Sequence, residues 1–182
     1  MVIFSKFPIL KSNFIPHNRF FNATIGEIFG RKGVLTATVE TPRGKLEIIN
    51  VHLHEEGFWF VDKLIRRHQL KKIISRLSDK DTATILCGDF NDHNFIQGRM
   101  FTETIQGRGF LNPTNESLEP TYRIDNTYFN GLLNRPTFSM RFDYIFVRHL
   151  ESLKLSVKKY SRELLSPPLS DHDPIILNLS SE

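Results

Sequence analysis

Asp89 and Asn91 stand one residue apart in TILCGDFND, the stretch from Thr84 to Asp92, and their side chains can point into one cleft. A carboxylate is a ligand for a hard cation such as Mg²⁺, and an amide beside it can hold a phosphate oxygen. Thr84, Ile85, Leu86 and Cys87 precede them as an apolar run without helical period, the pattern of a buried strand. Gly88 is expected to turn the backbone at that strand's end. Taken alone, the stretch reads equally well as a polar turn after a strand.

Three other stretches change that balance. His52 ends the strand pattern INVHLH, Asp143 sits in RFDYIFV, and Asp171 and His172 lie in LSDHDPI ahead of a final apolar run. Each has an ordinary explanation. A histidine is more often a satisfied core or surface residue, a strand aspartate can be an edge charge, and Asp before Pro favours a turn. A buried Asp needs a partner, however, and a histidine supplies one. Four strand ends bearing Asp, Asn or His point together to one polar site.

The elements that must position these residues follow from periodicity. Residues 1–10 read as a strand turned at Phe7-Pro8, and KSNFIPHNRFF reads as a loop. Residues 33–40 and 45–53 form a hairpin pattern closed by Thr41-Pro42-Arg43-Gly44, and 23–29 is a candidate further strand. From Trp59 to Leu77 the apolar residues Leu64, Ile65, Leu70, Ile73, Ile74 and Leu77 recur near the helical period. Arg66, Arg67, Lys71, Lys72 and Arg76 are assigned to the helix surface, read as a solvated face rather than a polyanion site. Strand, helix, strand in that order implies a βαβ-like crossover and a layered α/β core.

A short helix is expected over 99–106, followed by a Gly- and Asn-rich region over 107–134 that is long for a loop. Within it, TYRIDNTYFNG carries Tyr122, Arg123, Asn126, Tyr128 and Asn130, side chains suited to a polar ligand. Arg123 and Asn126 are the candidate substrate-binding pair. Strands are expected again over 140–148, 153–160 and 174–179.

Composition sets the class. The 182 residues are 40% hydrophobic and 24% charged, as in one soluble globular domain able to bury a core without disulfides. The one cysteine, Cys87, falls inside an apolar strand and is expected to be a core residue in a reducing compartment, here the cytoplasm. A net charge of +4 suits a phosphate-bearing substrate without requiring one. No run approaches the ~18 apolar residues of a membrane span, so no integral membrane segment is expected.

In order, NVHLH, CGDFND, FDYIFV and SDHDP resemble the motifs of the Mg²⁺-dependent endonuclease/exonuclease/phosphatase superfamily. Its members include deoxyribonuclease I-like nucleases, apurinic-site endonucleases, inositol polyphosphate 5-phosphatases and neutral sphingomyelinases. FSKFPI near the start resembles the family's turn after its first metal-binding element. The resemblance implies a four-layered α/β sandwich, two β-sheets flanked by helices, with the site at one edge. It implies that His172 is the general base and that Asp143 orients it. Asp89 and Asp171 match metal-binding positions for Mg²⁺, with Mn²⁺ as a substitute. Asn91 matches the amide on a phosphate oxygen, and His52 the residue that stabilises the phosphoryl charge or the leaving oxygen.

One departure stands out. The family places an Asn and a metal-binding Glu before the SKFPI-like turn, whereas here Ser5 follows Met1 closely. Glu27 and Glu40 come too late to replace that Glu. The family domain runs to roughly 250 residues, so the expectation is one domain over 1–182 that lacks its first strand and helix. A truncated form is favoured over a short form with altered metal binding, or a second chain or missing segment that completes the sheet. The expected activity is hydrolysis of a phosphodiester, nucleic acid or a sphingomyelin-like headgroup. The alternative is a phosphate-binding module or inactive relic without turnover.

Overall fold

The computed structural model describes residues 1–17, 32–55, 59–77, 81–93, 101–113, 119–129 and 137–181. Seven strands and one main helix organise them: β1 (Ile9–Pro16), β2 (Gly33–Thr41), β3 (Gly44–His52), α1 (Trp59–Ile74), β4 (Thr84–Asp89), β5 (Asp143–Arg148), β6 (Leu155–Arg162) and β7 (Ile175–Ser181). β1 to β5 lie side by side in chain order in one mixed sheet, while β6 and β7 form a second, two-stranded one. β3 and β4 are parallel and joined through α1, the crossover expected from the order strand, helix, strand. The other pairs in both sheets are antiparallel.

Alternation along the central strands divides the interior in two. Leu86, Tyr144 and Phe146 join Val51, Leu70, Ile73 and Phe110 in a core beneath α1. The intervening residues, Ile85, Cys87, Ile145 and Val147, face the other way and meet Leu155, Ile175, Leu177 and Leu179 of the two-stranded sheet. Period-two side chains thus give β4 and β5 two buried faces. The described residues form an α/β arrangement of helix, five-stranded sheet and two-stranded sheet, part of the four layers expected.

Several expectations need correction. The first strand begins after Pro8 and runs through the segment read as a loop; it is an edge strand, where Pro16 at its end need not donate to a ladder. Gly88 does not turn the chain but lies within β4 at φ +130°, where a Cβ would sit 2.1 Å from the Val51 carbonyl oxygen. Arg66 is fully buried and Leu64 is 50% exposed, reversing their assigned faces. The expected helix over 99–106 is a π-helical turn at Phe101–Ile105 running into a 3-10 turn at Gln106–Arg108. The candidate strand over 23–29, and Asn130 and Asn134, lie outside the described residues.

Candidate active site

Strand register brings the predicted residues together. His52 ends β3 opposite Asp89, and Asp89 ends β4 opposite Asp143, which begins β5. Three polar residues far apart in sequence therefore form one row across three neighbouring strands. The fourth element reaches the row through Tyr122, which bridges to both Met140 and His172. His52, Asp89, Asn91, Asp143, Asp171 and His172 all line a single cleft of about 900 Å³.

Within it, His172 Nδ1 lies 2.6 Å from Asp143 Oδ2. The same oxygen accepts a hydrogen bond from Thr121 Oγ1 at 2.7 Å, and Thr121 Oγ1 accepts from the backbone N–H groups of Phe142 and Asp143 at 3.2 Å. Asp143 is thus oriented from its back as well as by the imidazole. With Nδ1 engaged, the remaining nitrogen of His172, Nε2, is the one available to the cleft. The rings of Tyr122 and Phe142 pack against it, with centroids 5.2 and 6.2 Å away.

Electrostatics separates His52 from His172 in the cleft. Burial opposes the charged form of His172, but the hydrogen bond and charge of Asp143, with Asp89 and Asp171 nearby, outweigh it and lift the ring to about 9. Burial and the charge of Lys32 push His52 down to about 4, so at neutral pH it is an uncharged hydrogen-bonding ring. Its Nε2 lies 3.5 Å from Asp89 Oδ2. Burial, then the charge of Asp143, raises the Asp89 carboxyl to about 7.

Asn91 adopts left-handed backbone at φ +50°, a conformation that Asn tolerates better than most residues. Its N–H donates to Asp89 Oδ1 at 2.8 Å, and its Nδ2 donates to the Leu53 carbonyl at 2.9 Å. Arg123 and Asn126 do not line the cleft. Arg123 Nε donates to Asp173 Oδ2 at 2.6 Å, and its Nη1 pairs with Asp125. Asn126 donates to the carbonyls of Ser170 and Asp171 and accepts from the Tyr128 N–H. Both clasp the loop that delivers His172.

Sequence reasoning missed Thr121 and Glu55. Glu55 lines the cleft and pairs with Lys32 at 2.7 Å. A carboxylate three residues beyond a site histidine is a signal for Glu55. Thr121 gave none, because its contact with Asp143 spans 22 positions.

The oxygen-rich lining fits a magnesium ion. Mg²⁺ keeps several waters and takes one or two protein carboxylates together with substrate phosphate. Asp89 and Asp171, which line the cleft, are the carboxylates that could serve so, and the Asp89 carboxyl, raised first by burial and then by the charge of Asp143, would gain from a cation beside it. Among the described residues no three His, Cys, Asp or Glu side chains converge as a closed metal cage.

An endonuclease/exonuclease/phosphatase family model matches residues 1–172, and the chain belongs to that family. Solved structures agree on the fold. An endonuclease/exonuclease/phosphatase from Beutenbergia cavernae is 19% identical at a TM-score of 0.68, with 96% of this chain and 46% of that one covered. A beta toxin mutant from Staphylococcus aureus with bound magnesium ions is 19% identical at 0.62, covering 98% and 66%. D. rerio TDP2, complexed with a single strand DNA product, is 21% identical at 0.64, covering 95% and 68%. The chain therefore spans between about half and two thirds of the length of these structures. No curated protein sequence matches it.

Proposed function

We propose that this chain is a Mg²⁺-dependent phosphodiesterase in which His172 activates the attacking water. The observation that carries the reading is the 2.6 Å contact of His172 Nδ1 with Asp143, which leaves Nε2 available to a cleft also lined by His52, Asp89, Asn91 and Asp171. The neutral ring is the active form, and a cation held by Asp89 and Asp171 would favour it by offsetting two of the charges that lift His172 to about 9. Its Nε2 takes the proton as the water oxygen bonds to phosphorus and the ester P–O bond breaks, and the Asp143 carboxylate stabilises the imidazolium and fixes the tautomer. Neutral His52 donates an N–H to a phosphoryl or leaving oxygen, and the second N–H of the Asn91 amide holds another. Asp89 and Asp171 would hold Mg²⁺, or Mn²⁺ in its place, which when bound polarises the phosphorus-bound oxygens.

The substrate class follows from this chemistry: a phosphodiester, either nucleic acid or a lipid headgroup. The DNA product in TDP2 supports the first. No helix among the described residues is long and apolar enough to cross a membrane. We place the protein in the reducing cytoplasm on the strength of its lone, strand-borne Cys87. Among the described residues β6 and β7 pair only with each other, so a strand supplied by a second chain or another segment could extend their sheet.

The test is Mg²⁺-dependent hydrolysis of nicked plasmid, sphingomyelin and an inositol polyphosphate, with His172→Ala as the blank. Metal-supported turnover that the variant loses by ~10²–10⁴-fold establishes the activity and its substrate. A folded chain inert on all three, yet retaining affinity for a phosphodiester, is instead a binding module.

A further inference from the structure

Behind the cleft, residues 53 and 54 are gripped from both sides. Towards the site, the Leu53 N–H donates to the Asp89 carbonyl at 2.9 Å, and its own carbonyl accepts from Asn91 Nδ2 at 2.9 Å. Towards the helix, the His54 N–H donates to Gln69 Oε1 at 3.0 Å, and its carbonyl accepts from Arg66 Nη1 at 3.4 Å. The His54 ring completes the grip, with Nε2 3.0 Å from Asp62 Oδ1. Asp62, Arg66 and Gln69, four and three residues apart, share one face of α1. Asp62 and Arg66 are fully buried, and His54 and Gln69 are each 5% exposed.

Such a cluster is costly to bury. Well-packed apolar side chains would fill the same space without desolvating ionisable groups. Among the described residues, Arg66 Nε and Nη2 have no hydrogen-bond partner. What polar contacts supply and apolar packing does not is direction: they hold a backbone segment at set distances and angles. The segment held here adjoins His52 and Glu55 and bonds directly to Asp89 and Asn91.

We propose that His54, Asp62, Arg66 and Gln69 are positioning residues, through which α1 sets the places of His52, Asp89 and Asn91 in the cleft. The inference rests on the reading of that cleft as a phosphodiesterase site. Displacement of reacting groups by about 1 Å can cost ~10²-fold in rate, so loosening this clamp is expected to act on turnover rather than on substrate affinity.

The experiment compares Gln69→Leu and Asp62→Asn with Leu177→Ala, a control placed in the other core against the two-stranded sheet. Thermal midpoint, kcat and KM are measured with Mg²⁺ and bis(p-nitrophenyl) phosphate. Backbone amide exchange is followed at Leu53 and Asn91. Gln69→Leu and Asp62→Asn are expected to lower kcat by ~10–100-fold with KM within about threefold, while Leu177→Ala of similar midpoint loss keeps its kcat. Equal kcat losses in all three at matched midpoints would overturn the proposal. Should the unmodified chain not turn over at all, the proposed activity fails, and amide exchange decides the positioning question by itself. Faster exchange at Leu53 and Asn91 in the two helix variants than in Leu177→Ala supports it; the same rates in all three refute it.

Discussion

Two histidine–aspartate pairs among the described residues approach to 3.0 Å or less, and they differ in how open each ring is. His172 bonds Asp143 through Nδ1 at the edge of the cleft, the side chains being 23% and 18% exposed. His54 bonds Asp62 through Nε2 at 5% and 0% exposure. The first pair keeps Nε2 within reach of a small molecule. In the second, the ring is enclosed and its backbone is bound on both sides, so no substrate atom can reach it. One residue pairing thus leaves a ring at a cleft in one place, where proton transfer is proposed, and encloses it in the other, where a positioning role is proposed.

The sharpest way to break the comparison is to neutralise each carboxylate. Asp143→Asn is expected to reduce turnover ~10²–10⁴-fold with a small change in thermal midpoint, because it removes the partner that fixes the tautomer and steadies the imidazolium. Steady-state kinetics beside a melting curve checks both halves. Asp62→Ala should invert the pattern in stability, costing about 3 kcal/mol by denaturant titration, since it removes the carboxylate bonded to a buried imidazole. If Asp143→Asn unfolds the chain while Asp62→Ala leaves it stable, the division of labour is wrong.

Backbone geometry at the cleft gives a further contrast. Gly88→Ala places a Cβ against the Val51 carbonyl at a φ of +130°, and is expected to destabilise by about 1–3 kcal/mol. Gly109→Ala, where the nearest atom would be 3.8 Å away, keeps only the cost of its positive φ of +77°. Denaturation midpoints of the two variants measure the difference; equal losses would mean that β3 and β4 can separate without penalty.

A smaller effect is expected from pH on the chain stripped of metal with chelator. Asp89 is raised to about 7 and His172 to about 9, each above its ordinary value. In both cases the folded chain holds more protons than the unfolded one, so stability falls as pH rises. The part due to Asp89 is present in full below its ordinary carboxylate value and is lost as pH rises through about 7. That due to His172 is present below its ordinary value near 6.5 and is lost through about 9. Midpoints at pH 5, 7 and 9 should therefore decline, and Asp89→Asn should flatten the lower interval most and the upper one less, because the Asp89 charge also helps to raise His172. A rise with pH would contradict the assigned surroundings of both groups.

Legibility in the sequence varied with the range of the interaction. The hairpin of β2 and β3, the helix over Trp59–Ile74 and the strand over β4 were readable because turn residues and periodicity act locally. Edge strand β1 was misread as a loop because its polar Lys11, Ser12 and Asn13 are all exposed, and exposure removes the alternation on which strand patterns depend. Arg66 was placed on the wrong face because charge is a poor guide where a carbonyl partner, His54 O, waits inside. His54 itself was visible in NVHLH, but Asp62 and Gln69, which determine its role, lie 8 and 15 positions away.

By itself the sequence determined the membership in the endonuclease/exonuclease/phosphatase family and singled out His52, Asp89, Asn91, Asp143, Asp171 and His172, which line one cleft, because those residue types sit at strand ends in an order that local pattern exposes. Only the tertiary structure decided that β-sheet register aligns His52, Asp89 and Asp143 in one row, that Thr121 supports Asp143, and that Arg123 and Asn126 turn to the loop before β7. The physical reason is the same throughout. Strand identity is written in neighbouring residues, whereas register, burial and the direction of a charged side chain depend on partners that the chain brings together only on folding.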